Sequence, residues 1–161
     1  MSMSPLISST VFAMGKIIPS GPISSTFLVA VRSFCGKLNK EGYIEVADKI
    51  SKKYNIDTVA ITLRKSISAS DNDWSTLLYR NGKAYFSKEY HIHIVDRVGG
   101  GDSFGAGLIY ALHNGFDEQQ TIEYAAAASC LKQTIEMDVN LSKPSDILAL
   151  VGGDGSGRVQ Q

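Results

Sequence analysis

Apolar and polar positions along this chain switch between two periods. In "GYIEVADKISKKYNID", Val46, Ile50 and Tyr54 recur every four residues with Ala47 beside them, and Lys and Glu lie opposite. That spacing predicts an amphipathic helix over 43–54. "TVAITL" (Thr58–Leu63) is short and β-branched and predicts a buried strand. The polar run "RKSISASDNDW" predicts a loop. "STLLYR" and "KAYFSKEY" flank Asn81–Gly82, two residues that tolerate positive φ, and so predict a hairpin. "HIHIV" alternates and predicts a further strand. A helical period returns over 102–113, with Phe104, Leu108 and Leu112 on one stripe and Asn114–Gly115 as its stop. Asp117 and Gln120 form a capping box for a second helix, whose face is Ile122, Ala125, Ala126, Ser129 and Cys130. A last helix is expected from Pro144 to Gly152–Gly153. Residues 1–40 carry serine clusters and prolines without a sustained period, and only Phe27–Val31 suggests a strand there. The order of elements predicts an α/β layer architecture.

Composition narrows the partners. A chain of 161 residues with 43% hydrophobic and 20% charged positions is expected to form one globular domain. Sixteen basic and sixteen acidic residues cancel, and there is no basic run. No electrostatic footprint for nucleic acid or an anionic membrane is therefore expected. Cys35 and Cys130 have neither metal-ligand nor disulfide-scaffold spacing, which suggests a reducing, cytoplasmic setting. Phe27–Val31 is far too short to span a bilayer. No charge precedes Lys16, and Pro19 and Pro22 interrupt the region, so no secretory signal is expected.

The chemistry concentrates in "VDRVGGGDSFGAG", Val95 to Gly107. A strand that ends in a glycine loop opening a helix makes an anion site, because the first helical N–H groups lack intrahelical partners and the helix dipole adds positive potential. Gly99, Gly100 and Gly101 would line that anion hole. A phosphate loop of the Gly-Lys-Ser/Thr kind is excluded, since that triplet is missing. The dinucleotide fingerprint fits poorly because Phe104 stands where its third small residue should be. Asp102 needs a purpose beside such a cradle. One consistent purpose is as the base that orients and deprotonates an alcohol attacking a phosphate. The alternative is plainer: glycines that make a tight turn, and an aspartate that merely caps a helix. Local chemistry leaves both open.

"DRVGGGDSFGAGL" closely resembles the second signature of the ribokinase-like (PfkB) carbohydrate kinases, Asp-Thr-x-Gly-Ala-Gly-Asp-x-Phe, with Arg97 for the threonine and Gly100 for the alanine. From "TLRKSISASDNDWSTLLY" to "YAAAASCLKQTIEMDVNLS" the chain looks like the 2-keto-3-deoxygluconate kinase branch. The resemblance implies a Rossmann-like three-layer α/β/α fold, here as the C-terminal half with a hairpin and helices after the glycine loop. It implies transfer of a phosphoryl group from ATP, with Mg²⁺ and a monovalent cation as helpers, to a sugar acid. Fructokinase- or ribokinase-type sugars are the alternative substrates. Asp102 is then the catalytic base, Gly99–Gly101 the anion hole, and Asp96 lies on the nucleotide and cation side of the loop. Thr62, Arg64 and Ser66, with Ala125 and Ser129, border the nucleotide. No protein metal ligands are implied. Family members are much longer, and the absent half carries the first glycine signature, most sugar contacts and a β-sheet lid. The magnesium-organising Asn-x-x-Glu pattern is missing, because Asn39 is followed three residues on by Gly42. The implied division is an unassigned segment 1–40 and a catalytic portion 41–161. Such a fragment is expected to be inactive alone, a non-catalytic nucleotide-binding remnant being the other reading. Self-association through surfaces exposed by truncation is also expected.

Other residues invite plainer readings. His91 and His93 share one face of a strand and are expected on an exposed edge. His113 suits the last turn of a helix. Trp74 is expected to pack under the hairpin, with stacking on adenine as the alternative. Cys130 reads as a core filler, and Glu136 and Asp138 as solvated.

Overall fold

Two long strands, β3 (Thr58–Ser66) and β4 (Asp71–Arg80), form the spine of an antiparallel sheet in register from Thr58↔Arg80 to Ser66↔Asn72. The computed structural model describes residues 7–14, 31–32 and 39–153. On the outer side of β3 lies β1 (Ile7–Met14), followed by the short β2 (Val31–Arg32). The far edge of β4 is shared: Leu77–Arg80 pair with β5 (Lys83–Phe86), and Asp71–Trp74 pair with β6 (Tyr90–His93). Ser87 bridges the two. Its N–H donates to the Thr76 carbonyl at 2.9 Å, and its Oγ accepts from the Thr76 N–H at 2.9 Å.

Helices cover both faces. α1 (Lys40–Tyr54) packs with Val59, Ile61, Leu77 and Tyr79 on one side. α2 (Gly100–His113) and α3 (Glu118–Gln133) pack with Ala60 and Leu78 on the other. α4 (Pro144–Gly152) closes over α3 through Ile147 and Leu150. This is the expected three-layer α/β/α arrangement. All described strand pairs are antiparallel; for β3–β4 and β4–β5 the connecting turns are too short for the crossover that a parallel pair requires.

The hairpin at Asn81–Gly82 forms as expected, with φ of 51° and 77°. The capping box also forms: Asp117 accepts from the Gln120 N–H at 2.7 Å, and Gln120 accepts from the Asp117 N–H at 3.2 Å. Three expectations change. The loop expected over 64–74 shrinks to 67–70, since both flanking strands run on through polar residues. Tyr54 is 60% exposed, and the inward stripe of α1 is Tyr43, Ala47 and Ile50. A strict four-residue spacing rotates about 40° per step away from a helix face, which carries Tyr54 off it. The N-terminal strand is β1 at Ile7–Met14. Of the expected strand Phe27–Val31 only Val31 is described, in β2, and residues 27–30 and Cys35 lie outside the described residues.

α3 is the axis of the domain. Nearly every residue from Thr121 to Gln133 is buried. Its run Ala125–Ala128 lets α2 approach so closely that a Cβ on Gly107 would lie 3.1 Å from both the Ala125 Cα and the Ala128 Cβ. Cys130 is 2% exposed and fills the core as expected, and burial pushes its thiol pKa up.

Candidate functional site

Six residues carry the chain from β6 into α2, and each end of that loop is tied down. The Ile94 N–H donates to the Ser70 carbonyl at 2.6 Å. The N–H groups of Val95 and Asp96 both donate to the Gln133 carbonyl, at 2.9 and 3.3 Å. That carbonyl belongs to the last turn of α3, where acceptors have no intrahelical partner. Asp96 turns inward on its own loop, its Oδ1 accepting from the Val98 N–H at 2.9 Å.

The three glycines then divide by cause. Gly99 caps α2 in the left-handed region at φ 78°, and a Cβ there would lie 2.1 Å from the Asp138 carbonyl oxygen. The fold itself demands this glycine. Gly100 is buried, and its carbonyl accepts from the Ser129 Oγ at 2.8 Å. A Cβ on Gly100 would meet the Gln133 Cγ at 3.1 Å, a tight contact with a side chain that can yield. Gly101 is exposed, and the nearest atom to its Cβ position is on the Phe12 ring at 3.8 Å. No described neighbour requires Gly101 to be a glycine. Asp102 follows in the first turn of α2, exposed and without a hydrogen bond or ion pair among the described residues, where the helix dipole favours a carboxylate.

Opposite this turn is the helix-facing side of β3. Alternation puts Ala60, Thr62 and Arg64 on one face. Ala60 enters the core under Phe104 and Leu108. Thr62 and Arg64 emerge beyond it and, with Trp74, Arg97, Gly100 and Gly101, line a cavity of about 170 Å³ that Thr10 and Gln133 complete. Thr62 Oγ1 accepts from the Thr10 N–H at 3.0 Å. Burial, followed by the charge of Arg97, lowers the pKa of Arg64. The Nε of Arg64 and the Nε1 of Trp74 are sealed from solvent with no hydrogen-bond partner. Arg97 donates from Nη2 to the Ala69 carbonyl at 2.6 Å. Every charged side chain on the lining is cationic. The arrangement can hold an oxyanion between two guanidiniums and a helix N-terminus.

The structure thus brings Thr62, Arg64, Gly100 and Gly101 to one wall, with Asp102 next in sequence to Gly101 and Gly99 setting the turn. Ser66 stands apart, donating to the Ser68 carbonyl at 3.2 Å. Ala125 is wholly buried under α2, and Ser129 acts on the loop from behind through Gly100. Arg97 and Gln133 were not singled out as wall residues by sequence reasoning, and Trp74 was weighed only as an alternative stacking partner of adenine. Arg97 was visible as a cation in place of a threonine. Trp74 becomes a wall residue only once β4 is known to begin at Asp71, which sets it opposite Arg64. Trp74 is 7% exposed and packs in the core, as expected.

His91 and His93 lie on the exposed edge as expected, each ring Nδ1 facing a carboxylate across the ladder: Asp73 at 2.9 Å and Asp71 at 2.8 Å. Glu136 and Asp138 are exposed. Among the described residues, no group of three or more His, Cys, Asp or Glu side chains could hold a metal ion. No described helix is long and apolar enough to cross a membrane.

Comparison with known proteins adds four likenesses. The sequence profile of the pfkB family of carbohydrate kinases matches residues 31–139, more than half of the chain. The crystal structure of 2-dehydro-3-deoxygluconokinase from Thermotoga maritima is 51% identical, with a TM-score of 0.70 over 71% of this chain and 35% of that one. A PfkB family carbohydrate kinase from Listeria grayi is 31% identical, with a TM-score of 0.64 over 73% of this chain and 36% of its own. A curated relative, 5-dehydro-2-deoxygluconokinase of Clostridium perfringens, is 32% identical over 59 residues, which are 37% of this chain and 18% of that protein. The chain therefore spans about a third of the solved kinases it matches and less of the curated relative.

Proposed function

The chain belongs to the pfkB family of carbohydrate kinases, and from that premise we propose that it forms the nucleotide-binding and catalytic portion of a kinase that phosphorylates a hydroxyl of 2-dehydro-3-deoxygluconate. The name of the 51% identical Thermotoga protein supports that substrate. The name of the Clostridium relative supports a second reading, another deoxygluconate of the same family, and a transfer assay on both compounds separates them.

One observation carries the proposal. Gly101 lacks a Cβ where the fold leaves room for one, at a helix N-terminus beside an exposed carboxylate. The space belongs to a ligand. Asp102 accepts the proton of the attacking hydroxyl, and its exposure leaves it accessible to an acceptor. The N–H groups of Gly99–Gly101 receive the charge on the transferred phosphoryl group. Thr62 and Arg64 border the nucleotide from β3, while Ser66 lies farther along the strand, apart from that wall. Asp96 lies on the nucleotide and cation side of the loop, while Ala125 and Ser129 support it from α3. ATP supplies the phosphoryl group, and the cationic, donor-rich wall fits its charge.

Mg²⁺ and a monovalent cation are the expected helpers. The described residues gather no metal-binding cluster, and Asn39 caps α1 by accepting from the Gly42 N–H at 3.0 Å. The catalytic portion centres on 41–161, and Thr10 of β1, from the otherwise unassigned 1–40, completes its cavity wall. The setting is cytoplasmic, the partners are ATP and the sugar acid, with no nucleic acid or membrane, and surfaces that a sugar-binding part would cover drive self-association. Alone, the chain binds nucleotide with little turnover, because most acceptor positioning comes from elsewhere.

The test is Asp102→Asn in a protein carrying this chain together with a sugar-binding part. Asparagine still caps the helix but cannot take the proton. The expected loss in kcat is on the order of 10²–10⁴-fold with nucleotide affinity kept. Retention of most turnover would reduce Asp102 to a helix cap.

A further inference from the structure

We infer that Arg97, together with Arg64, forms a clamp for the non-transferred phosphates of the nucleotide, adjoining the Gly99–Gly101 hole for the transferred group and sharing its wall at Gly100 and Gly101. The inference rests on the kinase reading for the identity of the ligand. The demand for an anion comes from the cavity itself.

Two guanidiniums line one cavity of about 170 Å³. The nearness of Arg97 disfavours the charged form of Arg64, so the pair is self-repelling as it stands. The lining includes no acidic side chain to offset it. The Arg64 Nε and the Trp74 Nε1 are sealed without a partner and do not open onto the cavity, so the clamp is made by the other guanidinium donors of Arg64 and Arg97. Trp74 is itself 7% exposed, so its ring is fixed by packing. Arg97 is held by the Ala69 carbonyl through Nη2, which leaves its remaining donors for a ligand. The Gly100 and Gly101 backbone closes the same wall at the start of α2. An arginine fork matches phosphate oxygens in two-point contact, and the helix N-terminus favours the same charge. Because Asp102 lies past Gly101 and off this wall, the clamp takes the phosphates behind the reacting one.

A carboxylate shares part of this chemistry, and the acceptor is a sugar acid. Phosphate is favoured because the wall includes a helix N-terminus with glycine backbone, which suits a tetrahedral, multiply charged oxyanion.

The experiment is calorimetric titration of the 161-residue chain with inorganic pyrophosphate, ADP, adenosine and gluconate. Pyrophosphate and ADP should bind and adenosine should not. Arg97→Gln should weaken both by roughly ten- to a hundredfold, the worth of one charge-assisted contact. Arg97→Lys should recover only part, because an ammonium lacks the fork. Urea midpoints of the free variants check that each one folds, and the exposure of Arg97 favours that. Unchanged pyrophosphate affinity in Arg97→Gln overturns the inference, as does a chain that binds no pyrophosphate. Gluconate binding that depends on Arg97 while pyrophosphate does not also overturns it, by assigning the clamp to the acceptor. The kinase reading fails elsewhere, on phosphoryl transfer by Asp102→Asn, so the two failures are distinguishable.

Discussion

Gly82, Gly99 and Gly115 share nearly one backbone conformation, with φ of 77°, 78° and 74°. They differ in what surrounds them. A Cβ on Gly82 or Gly115 meets nothing within 4 Å, whereas on Gly99 it would lie 2.1 Å from the Asp138 oxygen and 3.2 Å from the Lys132 Cε. Substituting alanine at each position separates conformation from space. All three variants bear the left-handed penalty of a residue with a Cβ, about 1–2 kcal/mol. Only Gly99→Ala adds an overlap, and relieving it means moving backbone by more than about 1 Å to reach ordinary contact. The Asp138 segment cannot retreat freely, because Asn140 is anchored by donating to the Ala128 carbonyl at 3.0 Å. Overpacking adds a further ~1–3 kcal/mol. The expected loss is therefore about 2–5 kcal/mol for Gly99→Ala, a large part of the stability of a small domain, and about 1–2 kcal/mol for the other two. The assay is urea unfolding followed by circular dichroism and tryptophan fluorescence, with linear extrapolation and a check that the slope is unchanged. If Gly99→Ala falls within about 0.5 kcal/mol of Gly82→Ala, the first glycine is not there to admit Asp138, and the division of the three glycines by cause is wrong.

Two further outcomes are expected. Gly101→Ala should raise stability by about 0.5–1 kcal/mol, since alanine suits a helix and meets Phe12 at 3.8 Å, while nucleotide affinity falls. Tighter nucleotide binding by that variant would refute a ligand in the space. The carboxylates beside the edge histidines give a pH signature. The Ser68 hydroxyl and then His93 hold the pKa of Asp71 below the ordinary 3.8. Burial alone would raise Asp73, but hydrogen bonds from His91 and Lys65 outweigh it and hold it below 3.8 as well. With folded values depressed, their stabilisation is fully present above the unfolded value and is lost as pH falls through the folded ones. The urea midpoint should drop on acidification below about pH 4, and it should drop less in Asp71→Asn/Asp73→Asn. An equal drop in both would show that these pairs contribute nothing.

The readable parts of the sequence were those where local chemistry decides structure. Asn81–Gly82 demands positive φ at successive positions, Asp117 with Gln120 closes its own capping box, and the stripe Phe104–Leu108 has one apolar side to hide. The strand β1 was hidden because both of its faces are buried. Val11 packs toward α1 and Phe12 toward α2, so the alternation that marks a half-exposed strand is missing. The polar ends of β3 and β4 resembled a loop for a different reason. Arg64 faces a cavity, while Lys65 and Asp73 form an ion pair on the open face at 3.1 Å. At the site, the glycines and Asp102 were visible because they are contiguous. The clamp was not, because Arg64 and Arg97 come from two distant segments that only the fold and the Asp96–Val98 turn bring to one cavity.

The placement of β1 has a consequence for how the chain reaches this fold. β1 pairs with β3 along eight positions, from Ile7↔Lys65 to Met14↔Thr58, across a long stretch of intervening chain. β3, β4 and β5 are joined by turns and can zip locally, so we expect them to form first. Until β1 docks, β3 offers an open edge with Val59, Ile61 and Leu63 in one row, a template for pairing with another molecule. Refolding should therefore lose yield to aggregation as concentration rises, and a lysine replacing Ile61 should slow that loss even as it weakens the core. Refolding yields that do not depend on concentration would show that β1 closes the edge before a second chain can reach it.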